Sequence, residues 1–213
     1  LWVGTNVHVM VMMVNERQLK GLPAPATWSD LMQPQWKNKF AITDPSKSGT
    51  AYMLVYGLYK QFGQAGLDKI AANAVVTASS GTTYKGVAAG EYAVGMTLEY
   101  AAQEYVAGGQ KEIKLVYPSE GSYLAPEGMF IIKGAKNLDA AKALYDGLLS
   151  KASQEAQLVK NFRRPTRTDV AVASLTTLPD LSTVKIFPVS QEAAATEYEA
   201  VVAAWNQAVA QAK

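Results

Sequence analysis

The chain has no cysteine. Disulfides, thiol nucleophiles and cysteine-ligated metals are therefore excluded at the outset. Histidine is nearly absent too: His8 is the single one, and one imidazole cannot build a zinc cluster. An excess of one charge sign is lacking, with 20 Lys and Arg against 18 Asp and Glu. The formal net charge is +2 and the basic residues form no long run, which argues against nucleic acid as a partner. No apolar stretch reaches the roughly 20 residues that cross a bilayer. No P-loop is present, because GEYAVG (90–95) lacks the Gly-Lys-Ser/Thr ending. No nucleophile elbow occurs, and His8 has no acid partner nearby in sequence, so a Ser–His–acid hydrolase is not suggested. Glu91, Glu99 and Glu104 read as cap and helix residues, which leaves a two-carboxylate phosphoester hydrolase as a weak alternative.

What is present is a globular composition. Hydrophobic residues make up 49% of 213 residues, enough to bury a core in one or two domains. The opening LWVGTNVHVMVMMVN lacks the basic region and small-residue cleavage site of a signal peptide. It reads as a strand buried on both faces. Met10, Met12 and Met13 then fill core, since alternation sends neighbours to opposite faces. His8 reads as a satisfied core or hinge histidine in preference to a ligand contact. A central strand at the start predicts that further elements of the fold precede Leu1.

Beyond it, helices and strands alternate. Thr27, with Asp30 three residues on, caps a short helix through Met32 that Pro34 ends. Strands are expected at 39–44, 74–77, 92–97, 113–117 and at the start of GMFIIKGAKN (128–137). Helices are expected at 50–63, closed by Gly63, and at 67–73, 83–89 with Gly90 as C-cap, 99–107, 138–150 and 153–161. In the 138–150 helix, Ala141, Leu144, Leu148 and Leu149 should face inward. FRRPTRTDV (162–170) reads as a solvated basic loop with ion pairs to Asp169, the alternative being that Arg163, Arg164 and Arg167 face an anion. Residues 175–188 read as irregular, and 190–212 as one long terminal helix. This alternation gives an α/β class with a mostly parallel sheet.

Three polar turns follow strands: 44–50 (DPSKSGT), 78–83 and 97–100. A helix start carries unpaired N–H groups and partial positive charge, so it can hold an anion. It can also be merely capped, with Ser46 or Ser48 accepting a bond from its own helix. Ligands of parallel sheets sit beyond the strands' carboxyl ends, so the three turns could converge on one crevice.

Order and spacing carry a resemblance. PATWSDLMQPQWKNKFAITDPSKSGTAY, VAAGEYAVGMTLEY and VYPSEGSYLAPEGMFIIKGAKN followed by AAKALYDGLLS resemble the periplasmic substrate-binding proteins of ABC transporters, in the branch that includes ferric-iron binders. The resemblance covers nearly the whole chain. It implies a type II periplasmic binding protein fold of two α/β lobes, with the first lobe incomplete. Residues 1–14 would be a crossover strand of lobe one, 15–125 lobe two, 126–175 a return to lobe one, and 176–213 would carry a C-terminal helix packing on lobe two.

The resemblance also implies a site. In ferric-binding relatives the turn matching Ser48-Gly49-Thr50 helps hold an anion bound with the metal, and the position of Ser80 contributes. Those relatives show an adjacent Tyr-Tyr pair where this chain has Tyr100 followed by Ala101. Similarity to binders of hexose phosphates and 2-aminoethylphosphonate is therefore preferred, with iron plus a synergistic anion as the alternative and Tyr100 its metal ligand. The ligand-binding set is Ser46, Ser48, Gly49, Thr50, Ser80, Gly81, Thr82, Glu99 and Tyr100. Glu99 would take a hydroxyl or amine, and Tyr84 would stack or hydrogen-bond. No cofactor is expected beyond Fe3+ as a cargo. The resemblance implies a monomeric extracytoplasmic solute binder that serves an ABC permease, and not an enzyme.

Overall fold

A computed structural model describes residues 2–212. Its strands are β1 (Val3–Asn15), β2 (Phe40–Thr43), β3 (Ala74–Thr77), β4 (Val94–Leu98), β5 (Ile113–Val116), β6 (Leu124–Met129) and β7 (Arg164–Pro165). Its helices are α1 (Gly49–Asn73), α2 (Ser80–Ala89), α3 (Glu99–Ala107), α4 (Leu138–Leu149), α5 (Lys151–Asn161), α6 (Val172–Leu175), α7 (Gln191–Thr196) and α8 (Tyr198–Gln211). The chain divides into two compact units. The smaller takes the residues up to His8 with Ala125–Thr183, and the larger takes Val9–Leu124 with the residues from Val184 on.

In the larger unit the strand order is β3-β2-β4-β1-β5. β2 runs parallel to β3, with Thr43 beside Thr77, and parallel to β4. β1 runs antiparallel to both β4 and β5. Strands β2 to β5 thus share one direction, with β3, β4 and β5 each following a helical crossover, and β1 alone is reversed. The class is α/β with a mixed sheet. β1 is buried along its length from Val9 to Asn15, as a Val- and Met-rich run without polar alternation requires.

The core on one side of this sheet is held by aromatic groups. Trp28 stacks on Tyr123 at 5.5 Å and donates its indole N–H to the Gly121 carbonyl at 2.9 Å. Tyr123 lies against α1 at Gly57, where an added Cβ would come within 2.5 Å of its ring. Tyr123 also donates to Gln61 Oε1 at 2.6 Å. These contacts set the height of α1, and with it the position of its first turn. α1 covers both expected helices, and Gly63, non-helical at φ 65° and ψ −166°, breaks it between them as expected. The expected terminal helix is instead two, α7 and α8, because Glu197 (φ −88°, ψ 4°) leaves the helical region between them. The Thr27–Asp30 cap forms reciprocally: Asp30 accepts from the Ala26 and Thr27 N–H groups, and Thr27 Oγ1 accepts from the Asp30 N–H. The turn it starts is a 3-10 helix, Ser29–Met32.

In the smaller unit, β6 and β7 pair with β1, with Asn6 opposite Pro165 and Val7 opposite Arg164. A small core of Leu158, Val170 and Leu178 sits beneath α5. Three expectations are corrected here. The strand near GMFIIKGAKN is β6, displaced toward 124–129, and residues 130–133 join no ladder. Leu144 and Leu148 do not face inward. They are exposed, and with Phe130 and Ile132 they line an open apolar groove. Helical periodicity identified the apolar face, but no described element covers it. Arg164 is neither solvated nor free to face an anion: it is buried in β7 and donates to the Pro179 carbonyl at 2.9 Å. Arg167 does pair with Asp169, through two bonds of 2.8 Å.

Candidate functional site

β2 and β3 end side by side, and each leads through a polar turn into a helix. α1 begins at N-cap Ser48, whose side chain accepts from the Ala51 N–H at 3.3 Å. α2 begins at N-cap Ser79, whose side chain accepts from the Thr82 N–H at 3.1 Å. Both caps satisfy one orphan donor and leave others at each helix start. The two starts meet: Ser48 Oγ lies 3.2 Å from Ser80 Oγ and 3.0 Å from Thr50 Oγ1.

Beside them lies a small depression that opens to solvent. It is lined by Met10, Thr43, Thr50, Ala51, Leu54, Ser80, Met96, Thr97 and Leu98. Every polar side chain in that lining is a hydroxyl, and none is charged. The lining comes from the ends of β2 and β4, from β1, and from the first turns of α1 and α2. Such a wall can donate hydrogen bonds to an oxyanion, and two helix dipoles add partial positive charge.

Behind the lining, three threonine hydroxyls form a buried chain. Thr43 Oγ1 is 2.8 Å from Thr83 Oγ1, and Thr83 is 2.6 Å from Thr77. Thr77 also reaches the Ser79 carbonyl at 3.2 Å. Each hydroxyl has one proton. If Thr77 donates to Ser79, then Thr83 donates to Thr77, Thr43 donates to Thr83, and Thr43 offers a lone pair to the depression. If the chain reverses, Thr43 offers its proton. The wall can therefore meet either an ionised or a protonated ligand oxygen.

Of the residues expected from sequence, Ser48, Thr50 and Ser80 are brought together here. Gly49 opens α1 beside them, exposed, and Gly81 sits in the first turn of α2. Ser46 is turned back onto Asp44, its N–H and hydroxyl both bound to Asp44 Oδ1. Thr82 pairs its hydroxyl with Ser79 at 2.9 Å and reinforces that cap. Glu99 is buried at the start of α3, accepts from the Tyr117 hydroxyl at 2.5 Å, and does not line the depression. Tyr100 is half-buried next to it and is followed by the buried Ala101. Tyr84 packs by its ring on Tyr105, at 6.3 Å, rather than at the depression. Thr43 and Thr77 were missed, and Thr83 and Thr97 fall within the expected turns 78–83 and 97–100 but were not singled out. The usable signal was position: Thr43, Thr77 and Thr97 stand at the carboxyl ends of strands sharing one direction.

His8 lies in the smaller unit. Its Nε2 is 3.4 Å from Glu127 Oε2, and Arg163 Nη1 reaches the same oxygen at 2.5 Å. Asn6 Nδ2 bonds it too. Burial pushes the His8 pKa below its ordinary value, with Arg163 adding to that and Glu127 opposing it. Burial alone would raise the Glu127 pKa, but the Asn6 hydrogen bond, Arg163 and His8 together hold it below the usual carboxylate value. Among the described residues no group of three or more His, Asp or Glu side chains could hold a metal ion. Among the described residues no helix is long and apolar enough to cross a membrane.

Known proteins bear on this geometry. Residues 1–188 match the family described as bacterial extracellular solute-binding protein. A Salmonella typhimurium protein, named as a candidate 2-aminoethylphosphonate-binding periplasmic protein, is 33% identical over 171 residues, 73% of this chain and 49% of its own length. The periplasmic binding protein AfuA from Actinobacillus pleuropneumoniae, solved with exogenous fructose-6-phosphate bound, is 28% identical. It superposes with a TM-score of 0.86 over 98% of this chain and 68% of its own. The periplasmic binding protein P5PA superposes with a TM-score of 0.87 at 23% identity over the same shares, a likeness of fold. The chain spans about half the length of the curated relatives it matches.

Proposed function

This chain belongs to the bacterial extracellular solute-binding protein family, and we propose that its task there is to capture a small organic phosphate or phosphonate for an ABC permease. The observation that carries this reading is the meeting of two helix starts, 3.2 Å apart at Ser48 and Ser80, beside a hydroxyl wall without a charged side chain. A phosphoryl or phosphonyl group presents several acceptor oxygens, and this wall offers several donors to meet them. The names of the Salmonella and Actinobacillus proteins support the same ligand class. Ser48, Thr50 and Ser80 contact the anionic group, with backbone N–H groups at Gly49 and Gly81. Ser46 and Thr82 serve as turn and cap residues. Glu99 fixes the start of α3 through Tyr117.

Iron is the weaker reading. Tyr100 is the one phenol at the relevant helix start, and its neighbour is a buried alanine, so paired phenolate ligation is not available there. Binding without turnover is proposed, so fructose 6-phosphate incubated with the protein should release no phosphate.

Thermal melting of the intact protein tests the reading. The panel is 2-aminoethylphosphonate, fructose 6-phosphate, inorganic phosphate, and ferric iron with phosphate. At a hundredfold excess over Kd, a ligand of the folded state adds about 2.7 kcal/mol, a shift of several degrees. A rise with a phosphate or phosphonate is expected. A rise with iron alone would overturn the proposal.

A further inference from the structure

Thr97 sits near the carboxyl end of β4, opposite Val11 of β1. Strand alternation places it on the same side as Gly95, whose added Cβ would meet Val87 and Thr83 of α2. Its residue is 5% exposed, and its hydroxyl is fully buried with no hydrogen-bond partner. Thr97 also lines the depression. The other three hydroxyls of that lining are engaged: Thr43 with Thr83, Thr50 with Ser48, and Ser80 with Ser48.

This is an odd place for threonine. The lining also includes the apolar Met10, Leu54, Met96 and Leu98, and valine would fill the same volume with no polar atom to satisfy. A buried hydroxyl left unbonded lowers the stability of the folded chain. The fold gives it no hydrogen-bond partner, and the residue lines the depression beside which two helix starts converge.

We propose that Thr97 is a ligand-binding residue whose hydroxyl is reserved for an oxygen of the bound phosphoryl or phosphonyl group. The inference rests on the function proposed above and deepens it, because it adds a donor from the sheet to those at the helix starts. The anion would then be held from two sides: by Ser48, Thr50 and Ser80 at the half-buried rim, and by Thr97 within. Thr97 also differs from the rim residues in kind, since it caps no helix and bonds no neighbour. Its removal should act on the ligand and leave the free protein intact.

The test is a pair of substitutions in the intact protein, Thr97→Val and Thr97→Ser, each measured without ligand and with 2-aminoethylphosphonate, fructose 6-phosphate and inorganic phosphate. Thr97→Val keeps the shape and removes the hydroxyl. Its melting temperature without ligand should be equal to or above that of the unsubstituted protein, because an unsatisfied group is gone. Its affinity for the probe that stabilises the unsubstituted protein should fall about 10- to 100-fold, the range of one hydrogen bond to a charged group. Thr97→Ser keeps the hydroxyl and should retain most of the affinity. Unchanged affinity in Thr97→Val would overturn the inference while leaving the proposed function standing. A lower melting temperature in Thr97→Val with unchanged affinity would do the same and make the hydroxyl structural. If no phosphate or phosphonate stabilises the unsubstituted protein, the inference falls together with the reading beneath it.

Discussion

The start of α1 in the larger unit and the start of α5 in the smaller are built alike and end differently. Ser48 and Ser150 are both N-caps, and each accepts from the N–H three residues on, at 3.3 and 3.2 Å. Ser150 then donates to the Gly147 carbonyl at 2.7 Å and closes on its own chain. Ser48 instead meets Ser80, 32 residues away, at a second helix start. The capping motif is common to both. Convergence is what separates a candidate site from a capped helix, and convergence comes from the parallel β2–β3 pair that feeds α1 and α2.

The comparison can be pressed at two helical glycines. A Cβ at Gly57 of α1 would lie 2.5 Å from the Tyr123 ring, whereas a Cβ at Gly147 of α4 would meet nothing within 4 Å. Helix propensity alone favours alanine at both by up to about 1 kcal/mol. Gly57→Ala should instead cost about 1–3 kcal/mol through overpacking, and it should weaken ligand binding because α1 carries a site wall. Gly147→Ala should stabilise. Urea unfolding of the two variants measures both signs, and equal signs would mean that the Tyr123 contact does not constrain α1.

The caps sharpen the contrast further. Ser48→Ala and Ser150→Ala should each cost about 1 kcal/mol in urea unfolding. Only Ser48→Ala should lower affinity for fructose 6-phosphate or 2-aminoethylphosphonate. Equal affinity in the two variants would reduce Ser48 to a cap.

The smaller unit has a polar cluster of its own kind, in which Glu127 gathers Asn6, Arg163 and His8. The pKa values of both His8 and Glu127 are held below their ordinary values. Each therefore binds fewer protons folded than unfolded. Their stabilisation is complete above the ordinary histidine value of 6.5 and is lost as pH falls, first through His8 and then through Glu127. Melting temperature should drop from about pH 7 to about pH 5.5, and His8→Asn should flatten that drop. The smallest effect belongs to the exposed Arg167–Asp169 pair. Asp169→Asn should leave the urea unfolding midpoint unchanged within the scatter of repeat measurements.

How legible this was depended on the range of the determinant. Ser48, Gly63 and Gly90 act within one turn, and their roles as cap, helix break and C-cap could be read directly. The apolar stripe of α4 was legible as a stripe, but periodicity cannot say what covers it, and Leu144 and Leu148 are exposed. Arg164 looked solvated within a basic run, yet β7 pairing carries it inside. The break at Glu197 falls in a helix-forming stretch with no Gly or Pro to mark it. At the site, the serine turns stood out because serine before a helix is a local signal. Thr43 and Thr97 did not, because threonine in a strand is ordinary by propensity. Their importance arises only when two strand ends and two helix starts meet.

The central claim is that the paired helix starts hold the ligand's anionic group, and Ser80→Ala tests it most directly. Ser80 caps neither helix, since Ser79 caps α2 and Ser48 caps α1. Its loss should leave the fold unaltered. Calorimetric titration of the intact protein with fructose 6-phosphate and with 2-aminoethylphosphonate should show affinity for at least one, reduced about tenfold or more in Ser80→Ala. Binding of equal strength in both proteins would contradict the account and move the site elsewhere.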